Sequence, residues 1–264
     1  MKKYLVVGNP IMHSLSPELH NYWLKKHKIK AVYDKKEITE EMIKILIEEV
    51  RKRKISGINI TVPFKKIVIS YLDQLTHEAD TTQSVNTIYL DKNKIVGHNT
   101  DIEGFEMSIK KSKYNIADKE VLILGSGGVV PSIIYALNKM KVTKITLSNR
   151  TKDKAENLKK LFENLKVVNW GEIPKFDIII NATSIGLNKN DIINLDLSNS
   201  GKNKFFYDLI YNPKETNFLK TGKELGNYVE NGKMMFIHQA SAAFKIWHGI
   251  EPLINDDVIE LLDK

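Results

Sequence analysis

The stretch VLILGSGGVV, Val121–Val130, decides the fold: an apolar strand runs into a glycine-rich turn and on into a helical pattern that extends to Met140. Glycines at Gly125, Gly127 and Gly128 let the backbone approach a pyrophosphate at a helix N-terminus, as a dinucleotide-binding turn requires. The third glycine of G-x-G-x-x-G is replaced by Val130, and Pro131 follows it. Proline is tolerated in a helix's first turn, so the helix survives. A tight strand-to-helix turn without a ligand is compatible with the glycines alone.

The next strand ends at Leu147 and leads into Ser148-Asn149-Arg150-Thr151. An NAD site would carry Asp or Glu here for the ribose 2′-hydroxyl, whereas Asn149 and Arg150 suit a 2′-phosphate. Lys154 lies one helical turn beyond Arg150, and Arg150 is one of only three arginines, with Arg51 and Arg53. The combination favours NADP over NAD; Thr151 capping a helix beside an incidental arginine fits the same letters.

Working outward, Lys144–Leu147, Asp177–Ile180 and Lys204–Tyr207 read as buried strands, and Thr151–Phe162 as an amphipathic helix. Strands alternating with helices predict an α/β fold with a parallel sheet. A boundary falls near Thr100. Before it, Tyr4–Val7, Ala31–Tyr33 and Ile58–Val62 read as strands, and Asn86–Leu90 with Lys94–Val96 as a hairpin. Ser16-Pro17 reads as the N-cap and first residue of a helix reaching about Lys28, and Glu40–Val50 as a second helix. Met234–Trp247 and Asp256–Leu262 are the last helices.

Composition excludes several classes. The 264 residues are 42% hydrophobic and 27% charged, which is ordinary for a globular chain. Absence of cysteine removes disulfides, thiolate nucleophiles and cysteine-type metal sites and fits a reducing compartment. The net charge of +8 invites a nucleic-acid reading, but nearly all 40 cations are lysine, and recognition of bases and phosphates favours arginine. The RKRK run at Arg51–Lys54 ends a helical pattern, where cations complement the helix dipole. The apolar run Tyr4–Val7 stops at Gly8-Asn9-Pro10, too early for a signal segment. The 18 uncharged residues Val121–Asn138 are split by glycines and Pro131, so they do not read as a membrane span. Zinc-peptidase, P-loop and serine-hydrolase motifs are missing from the sequence. A soluble, cytoplasmic protein with a small-molecule substrate, no nucleic-acid or membrane partner and no metal is expected.

Three segments before the boundary carry more polarity than loops need. Ser14 and Ser16 follow the first strand. In Gly57–Lys65, Asn59 and Thr61 share one strand face and Lys65 follows at its carboxyl end. Asn86-Thr87 and Asn99-Thr100-Asp101 place amides, hydroxyls and a carboxylate on turns. Such a set suits a small polyhydroxylated acid. Reduction of a ketone by hydride leaves an alkoxide that needs a proton, and a lysine oriented by a carboxylate can supply it. Lys65 and Asp101 are the candidate pair.

Taken in order, the pieces resemble the shikimate dehydrogenase family. The resemblance lies in Gly8-x-Pro10-x-x-His13-Ser14-x-Ser16-Pro17, Gly57-x-Asn59-x-Thr61-x-Pro63-x-Lys65, Val85-Asn86-Thr87 and Gly97-x-Asn99-Thr100-Asp101. It continues through Gly125-Ser126-Gly127-Gly128, Asn149-Arg150-Thr151, Asn181-Ala182-Thr183-Ser184-x-Gly186, Asp208-x-x-Tyr211-Asn212-Pro213 and Gln239-Ala240. It spans Gly8 to about Trp247. It implies reversible, NADPH-dependent reduction of 3-dehydroshikimate to shikimate in chorismate and aromatic amino-acid biosynthesis. Lys65 and Asp101 would be catalytic. Ser14, Ser16, Thr61, Asn86, Tyr211 and Gln239 would hold substrate together with that pair, with Asn59 in support. NADP would lie on Gly125, Ser126, Gly127, Gly128, Val129, Asn149, Arg150, Thr151 and Lys154, with Thr183, Leu209 and Gly232 on its nicotinamide side. The implied architecture is an α/β substrate domain (1–100 and 232–264) plus a Rossmann-like NADP domain (101–231). The C-terminal helices pack back on the first domain, and the chain is a monomer or homodimer. The family usually has Ala at Ser126 and Val129 and Met at Leu187, departures that bear on cofactor fit. A quinate/shikimate dehydrogenase shares the fold and the pair, and a non-catalytic NADP-binding sensor would share only the nucleotide half.

Overall fold

A computed structural model describes residues 1–112, 114–188 and 190–263. The chain divides into two compact units, Met1–Gly104 with Ile237–Lys264, and Phe105–Phe236.

The first unit is built on a six-stranded sheet with strands β1 (Lys2–Gly8), β2 (Ala31–Glu37), β3 (Gly57–Ile60), β4 (Gln74–Leu75), β5 (Thr87–Asp91) and β6 (Lys94–His98), ordered β2-β1-β3-β5-β6-β4. Strand β1 is parallel to β2 (Lys2↔Ala31) and to β3 (Tyr4↔Gly57), while β5 runs antiparallel to β3 and β6. Lys92 and Asn93 close the β5–β6 hairpin with φ of 45° and 66°, the backbone twist a two-residue hairpin turn needs. Helices α1 (Ser16–Lys26), α2 (Met42–Arg51) and α3 (His77–Thr82) accompany the sheet. In α2, Ile43, Leu46, Ile47 and Val50 recur at helical spacing, and all four are buried with Val7, Ile58 and Ile60 of the sheet. Each such side chain stabilises the fold by roughly 1.5–3 kcal/mol. Since Ile58 and Ile60 face this core, Asn59 between them faces the other side of the sheet.

The N-terminus of α1 departs from the sequence reading. Leu15 is its N-cap, Ser16 is already helical, and no side chain caps the helix. The Ser16 hydroxyl is engaged with Ser14 instead. The β3 strand also ends at Ile60 rather than at Val62, and the Val62–Pro63 bond is cis. Thr61 nonetheless keeps strand-like pairing, its N–H donating to Val7 O at 3.0 Å.

The second unit begins inside α4 (Asp101–Ser112) and carries β7 (Glu120–Leu124), α5 (Val130–Lys139), β8 (Lys144–Ser148), α6 (Lys152–Lys159), β9 (Leu165–Val168), β10 (Ile178–Asn181), β11 (Phe205–Asp208), α7 (Asn217–Glu224) and β12 (Tyr228–Asn231). Its strands are all parallel and ordered β12-β11-β10-β7-β8-β9, the doubly wound arrangement in which the chain leaves β7 in one direction and returns to β10 on its other side. Leu122, Leu124, Ile179, Phe206 and Phe218 form a core on this sheet. The pattern of apolar runs missed β4, α3, α4, β9, α7 and β12. All but α4 are short, and α3 is entirely polar apart from Ala79; Asp101, expected on a turn, is the first residue of the twelve-residue α4.

Helices α8 (Lys233–His248) and α9 (Asp256–Glu260) close the chain, and from Ile237 onward it belongs to the first unit. Trp247 Nε1 donates to Ile88 O at 3.1 Å, and a Cβ on Gly57 would collide with the Trp247 indole. Among the described residues no helix is long and apolar enough to cross a membrane.

Candidate active site

Lys65 follows the turn after β3, held there by Val85 N–H donating to Lys65 O at 2.9 Å. Asp101 opens α4, and Asn99 Oδ1 accepts its N–H at 3.1 Å. A carboxylate at a helix N-terminus is favoured by the helix dipole. Thirty-six residues apart in sequence, the two side chains meet with Lys65 Nζ 2.5 Å from Asp101 Oδ2, and both are buried. Removing either partner of such a pair strands the other charge.

Asn86 ties this pair to its surroundings. Its Nδ2 donates to Asp101 Oδ1 (3.0 Å) and Thr100 Oγ1 (2.9 Å) and lies 3.5 Å from Gln239 Oε1. Its Oδ1 accepts from Thr100 N (2.8 Å) and Thr87 Oγ1 (3.0 Å). A buried amide so fully engaged has one orientation.

Asn59 lies beside it. Asn59 Nδ2 donates to Asn86 O and to Thr87 Oγ1, each at 3.0 Å, and Asn59 Oδ1 accepts from the Tyr33 hydroxyl at 2.6 Å. Ser14 Oγ donates to Ser16 Oγ at 3.2 Å and accepts the Ser16 N–H at 3.3 Å. Thr61 is half-buried, its methyl 2.5 Å from where a Gly8 Cβ would sit. The sequence-derived residues Ser14, Ser16, Asn59, Thr61, Asn86, Lys65, Asp101 and Gln239 thus all belong to the first unit, and four of them form one hydrogen-bonded string: Asn59, Asn86, Asp101 and Lys65.

The remaining candidates belong to the second unit. Gly125 has φ +103°, its N–H donates to Ser148 O at 2.8 Å, and a Cβ there would lie 2.8 Å from Ala182 O. Only glycine fits. A Cβ on Gly127 would meet a single atom within 4 Å, Ala182 O at 3.9 Å, so that side of the turn is open. Val130 N–H donates to Gly127 O at 3.0 Å as α5 begins, with Val129 as its N-cap and Ser126 and Gly128 in the turn. Asn149 Nδ2 donates to Thr151 O at 2.7 Å, which shapes the turn after β8. Thr151 is the N-cap of α6, but its hydroxyl makes no cap hydrogen bond, and Arg150 and Lys154 are exposed beside it.

Carboxyl ends of β10 and β11 carry a polar knot in which Asn181, Thr183 and Asp208, quoted from the sequence in separate motifs, are bonded together. Asn181 Oδ1 accepts from Thr183 N–H (3.1 Å) and Thr183 Oγ1 (2.7 Å), and Asn181 Nδ2 donates to Asp208 Oδ1 (3.0 Å). Asp208 also accepts from Ile210 N–H (3.0 Å) and Thr216 Oγ1 (2.6 Å). Burial pushes the Asp208 carboxyl up to about 6, against the pull of these hydrogen bonds. Leu209 N–H donates to Asn181 O at 3.0 Å, and a Cβ on Gly232 would collide with Leu209 O. Tyr211 stacks on Phe236 with ring centroids 4.6 Å apart. Thr87 and Thr100, singled out in the sequence as polar turn residues beside asparagines, join this network. Tyr33 was missed, and its apolar strand setting carried no signal.

The turn after β7, the Arg150 corner after β8 and the Thr183 loop after β10 stand at the carboxyl ends of neighbouring strands, where open α/β sheets bind nucleotides. The unfilled side of Gly127 and the uncommitted Thr151 hydroxyl fit a phosphorylated dinucleotide. Among the described residues no group of three or more His, Asp or Glu is placed to hold a metal.

Comparison with known proteins agrees with this geometry. Residues 6–88 match the family model for the shikimate dehydrogenase substrate binding domain, and residues 107–217 that for shikimate / quinate 5-dehydrogenase. The shikimate dehydrogenase (NADP(+)) of Pelagibacter ubique (strain HTCC1062) is 57% identical over 262 residues, covering 99% of each chain. The chain belongs to the shikimate dehydrogenase family. Among solved shikimate dehydrogenases, that of Aquifex aeolicus superposes with a TM-score of 0.91 at 39% identity, covering 99% of this chain and 97% of that one. The Thermus thermophilus enzyme, solved in complex with NADP(H) and shikimate, gives 0.90 at 29% identity over 100% and 98%.

Proposed function

We propose that this member of the shikimate dehydrogenase family is an oxidoreductase that reversibly reduces 3-dehydroshikimate to shikimate with NADPH, in the cytoplasm and within aromatic amino-acid biosynthesis. The first unit, Met1–Gly104 with Ile237–Lys264, takes the substrate, and the second, Phe105–Phe236, takes NADP. The observation that carries the reading is the buried Lys65–Asp101 pair bonded to Asn86.

The bound nucleotide supplies the hydride. Lys65 Nζ binds the substrate oxygen that gains negative charge and gives it a proton as general acid; in the oxidative direction the same nitrogen takes the hydroxyl proton. Asp101 Oδ2 holds the ammonium in place, and Asn86 and Asn99 hold Asp101. Ser14, Ser16, Thr61, Asn86, Tyr211 and Gln239 bind the remaining hydroxyls and the carboxylate, with Asn59 bracing Asn86. For the nucleotide, the turn Gly125–Val129 cradles the pyrophosphate, while Asn149, Arg150, Thr151 and Lys154 hold the 2′-phosphate. Thr183, Leu209 and Gly232 flank the nicotinamide.

NADPH absorbance followed with 3-dehydroshikimate tests the reading, with NADH and quinate as controls for the NAD-linked and quinate-oxidising alternatives. Lys65→Ala should lower kcat by about 10²–10⁴-fold with a modest change in KM, the usual worth of a positioned proton donor. Undiminished turnover by that variant would remove Lys65 from the chemistry, and nucleotide binding without turnover by the unaltered protein would leave only a sensor.

A further inference from the structure

In the first unit's candidate site the charges cancel. Lys65 is matched by Asp101, and Ser14, Ser16, Asn59, Thr61, Asn86 and Gln239 are neutral. A polyhydroxylated acid brings a carboxylate, and neutral donors alone compensate a desolvated charge only in part. Lys35 of β2 is placed to answer it.

Parallel strands β1, β2 and β3 end on one side of the sheet, and the serine loop follows β1 as the Thr61–Lys65 segment follows β3. Lys35 lies near the carboxyl end of β2, in register with Val6 of β1. It shares a strand face with Tyr33, whose hydroxyl lies 2.6 Å from Asn59 Oδ1, so it projects on the side of the sheet that carries Asn59. The residue is half-buried and reaches over the serine loop. Its Nζ donates to Met12 O at 2.6 Å and lies 3.4 Å from Ser14 O.

Both acceptors are carbonyls, which orient an ammonium without neutralising it, and the group has a third N–H to give. Among the described residues no carboxylate pairs with it. Asp34 and Lys36 take the opposite face of the strand, and Glu37, next on the same face, is exposed. The ammonium thus rests on the backbone of the very residue whose hydroxyl meets Ser16 Oγ. One corner of the unit holds a cation and two hydroxyls; another holds the buried amides and the Lys65–Asp101 pair.

We propose that Lys35 is a further substrate-binding residue, its ammonium supplying the positive charge that answers the carboxylate of a polyhydroxylated acid held at Ser14 and Ser16. The inference rests on the proposed substrate reading. Lys35 moves no proton. It works from a half-buried position, where attraction between charges is weakened by water and screened by salt.

Lys35→Met is the test, because it keeps the unbranched stem and drops the charge. KM for shikimate should rise about tenfold, the worth of one charge-assisted contact, while kcat and KM for NADP change little. The methyl ester of shikimate, which has no charge to recognise, is the discriminating probe. The unaltered protein should prefer acid to ester, read as the ester's inhibition constant over the acid's KM. Lys35→Met should lower that ratio about tenfold by weakening the acid alone, and Lys35→Arg should restore it. Added NaCl should raise KM for shikimate more steeply in the unaltered protein than in Lys35→Met. An unchanged shikimate KM in Lys35→Met would overturn the proposal. So would an equal loss for acid and ester, the mark of a mere clamp on the Met12–Ser14 backbone. Failure of the unaltered protein to oxidise shikimate would instead overturn the substrate reading, and this inference with it.

Discussion

The candidate sites of the two units are built by different means. In the first, the candidate groups are side chains bonded to one another and sunk in the core: Lys65 on Asp101, Asp101 on Asn86, Asn86 beside Asn59. In the second, the decisive features belong to the backbone. Gly125 needs φ +103°, and the open flank of Gly127 is a missing atom rather than a group. The cations there, Arg150 and Lys154, are exposed and unbraced by the core. A site made of side-chain identity loses function when one group is exchanged, even with the fold intact. A site made of backbone shape is damaged when anything is added.

Gly125→Ala is the largest break of that contrast after the loss of Lys65. The new Cβ would be forced against Ala182 O at 2.8 Å in a backbone region that only glycine adopts easily. A penalty of about 3 kcal/mol is expected from strain and contact together, read as a drop of about 5–10 °C in thermal midpoint together with weaker NADPH binding. A variant of normal stability and NADPH affinity would show that the turn is less constrained than its geometry implies.

Acid should separate the units next. Burial, with His248 adding to it, lowers His20 in the first unit from 6.5 to about 3. The unfolded chain then takes up a proton below pH 6.5 that the folded state refuses, so this contribution to stability is complete above pH 6.5 and fades as pH falls. Between about pH 7 and pH 5 the loss is about 2 kcal/mol. Asp208 in the second unit has the opposite sign. Its folded value is raised to about 6 from 3.8, so the folded state protonates first and gains about 1 kcal/mol over the same interval. Urea unfolding at the two pH values should show His20→Phe flattening the acid loss and Asp208→Asn steepening it. The same slope in both variants would refute the opposition.

Arg150→Ser is the smallest change. An exposed cation facing a phosphate is worth little beyond one charge-assisted contact, so KM for NADPH should rise about tenfold while turnover with NADH stays as it was. An equal rise for both nucleotides would move Arg150 away from the 2′-phosphate.

Legibility in the sequence followed the same division. The parallel sheet of the second unit was readable because buried parallel strands are unbroken apolar runs, and Gly125–Gly128 announced the turn by composition. Lys65 and Asp101 stood out by residue type, but their meeting depends on β3, β5 and α4 being brought together, which no local pattern encodes. Ser16 misled for a physical reason. Its place before Pro17 is that of a helix cap, yet the hydroxyl is taken by Ser14, leaving Leu15 at the cap. Asn181 and Asp208 lie at the ends of neighbouring strands 27 residues apart, so their bond was invisible until the strand order was known.

Gln239 and Trp247 reach the first unit from the far end of the chain. During synthesis the first unit therefore waits, with the surface beneath Trp247 uncovered, until the whole of the other unit has been translated. Transplanting the segment from Ile237 onward to a position ahead of Met1 would turn that unit into one continuous stretch, able to mature before its neighbour exists.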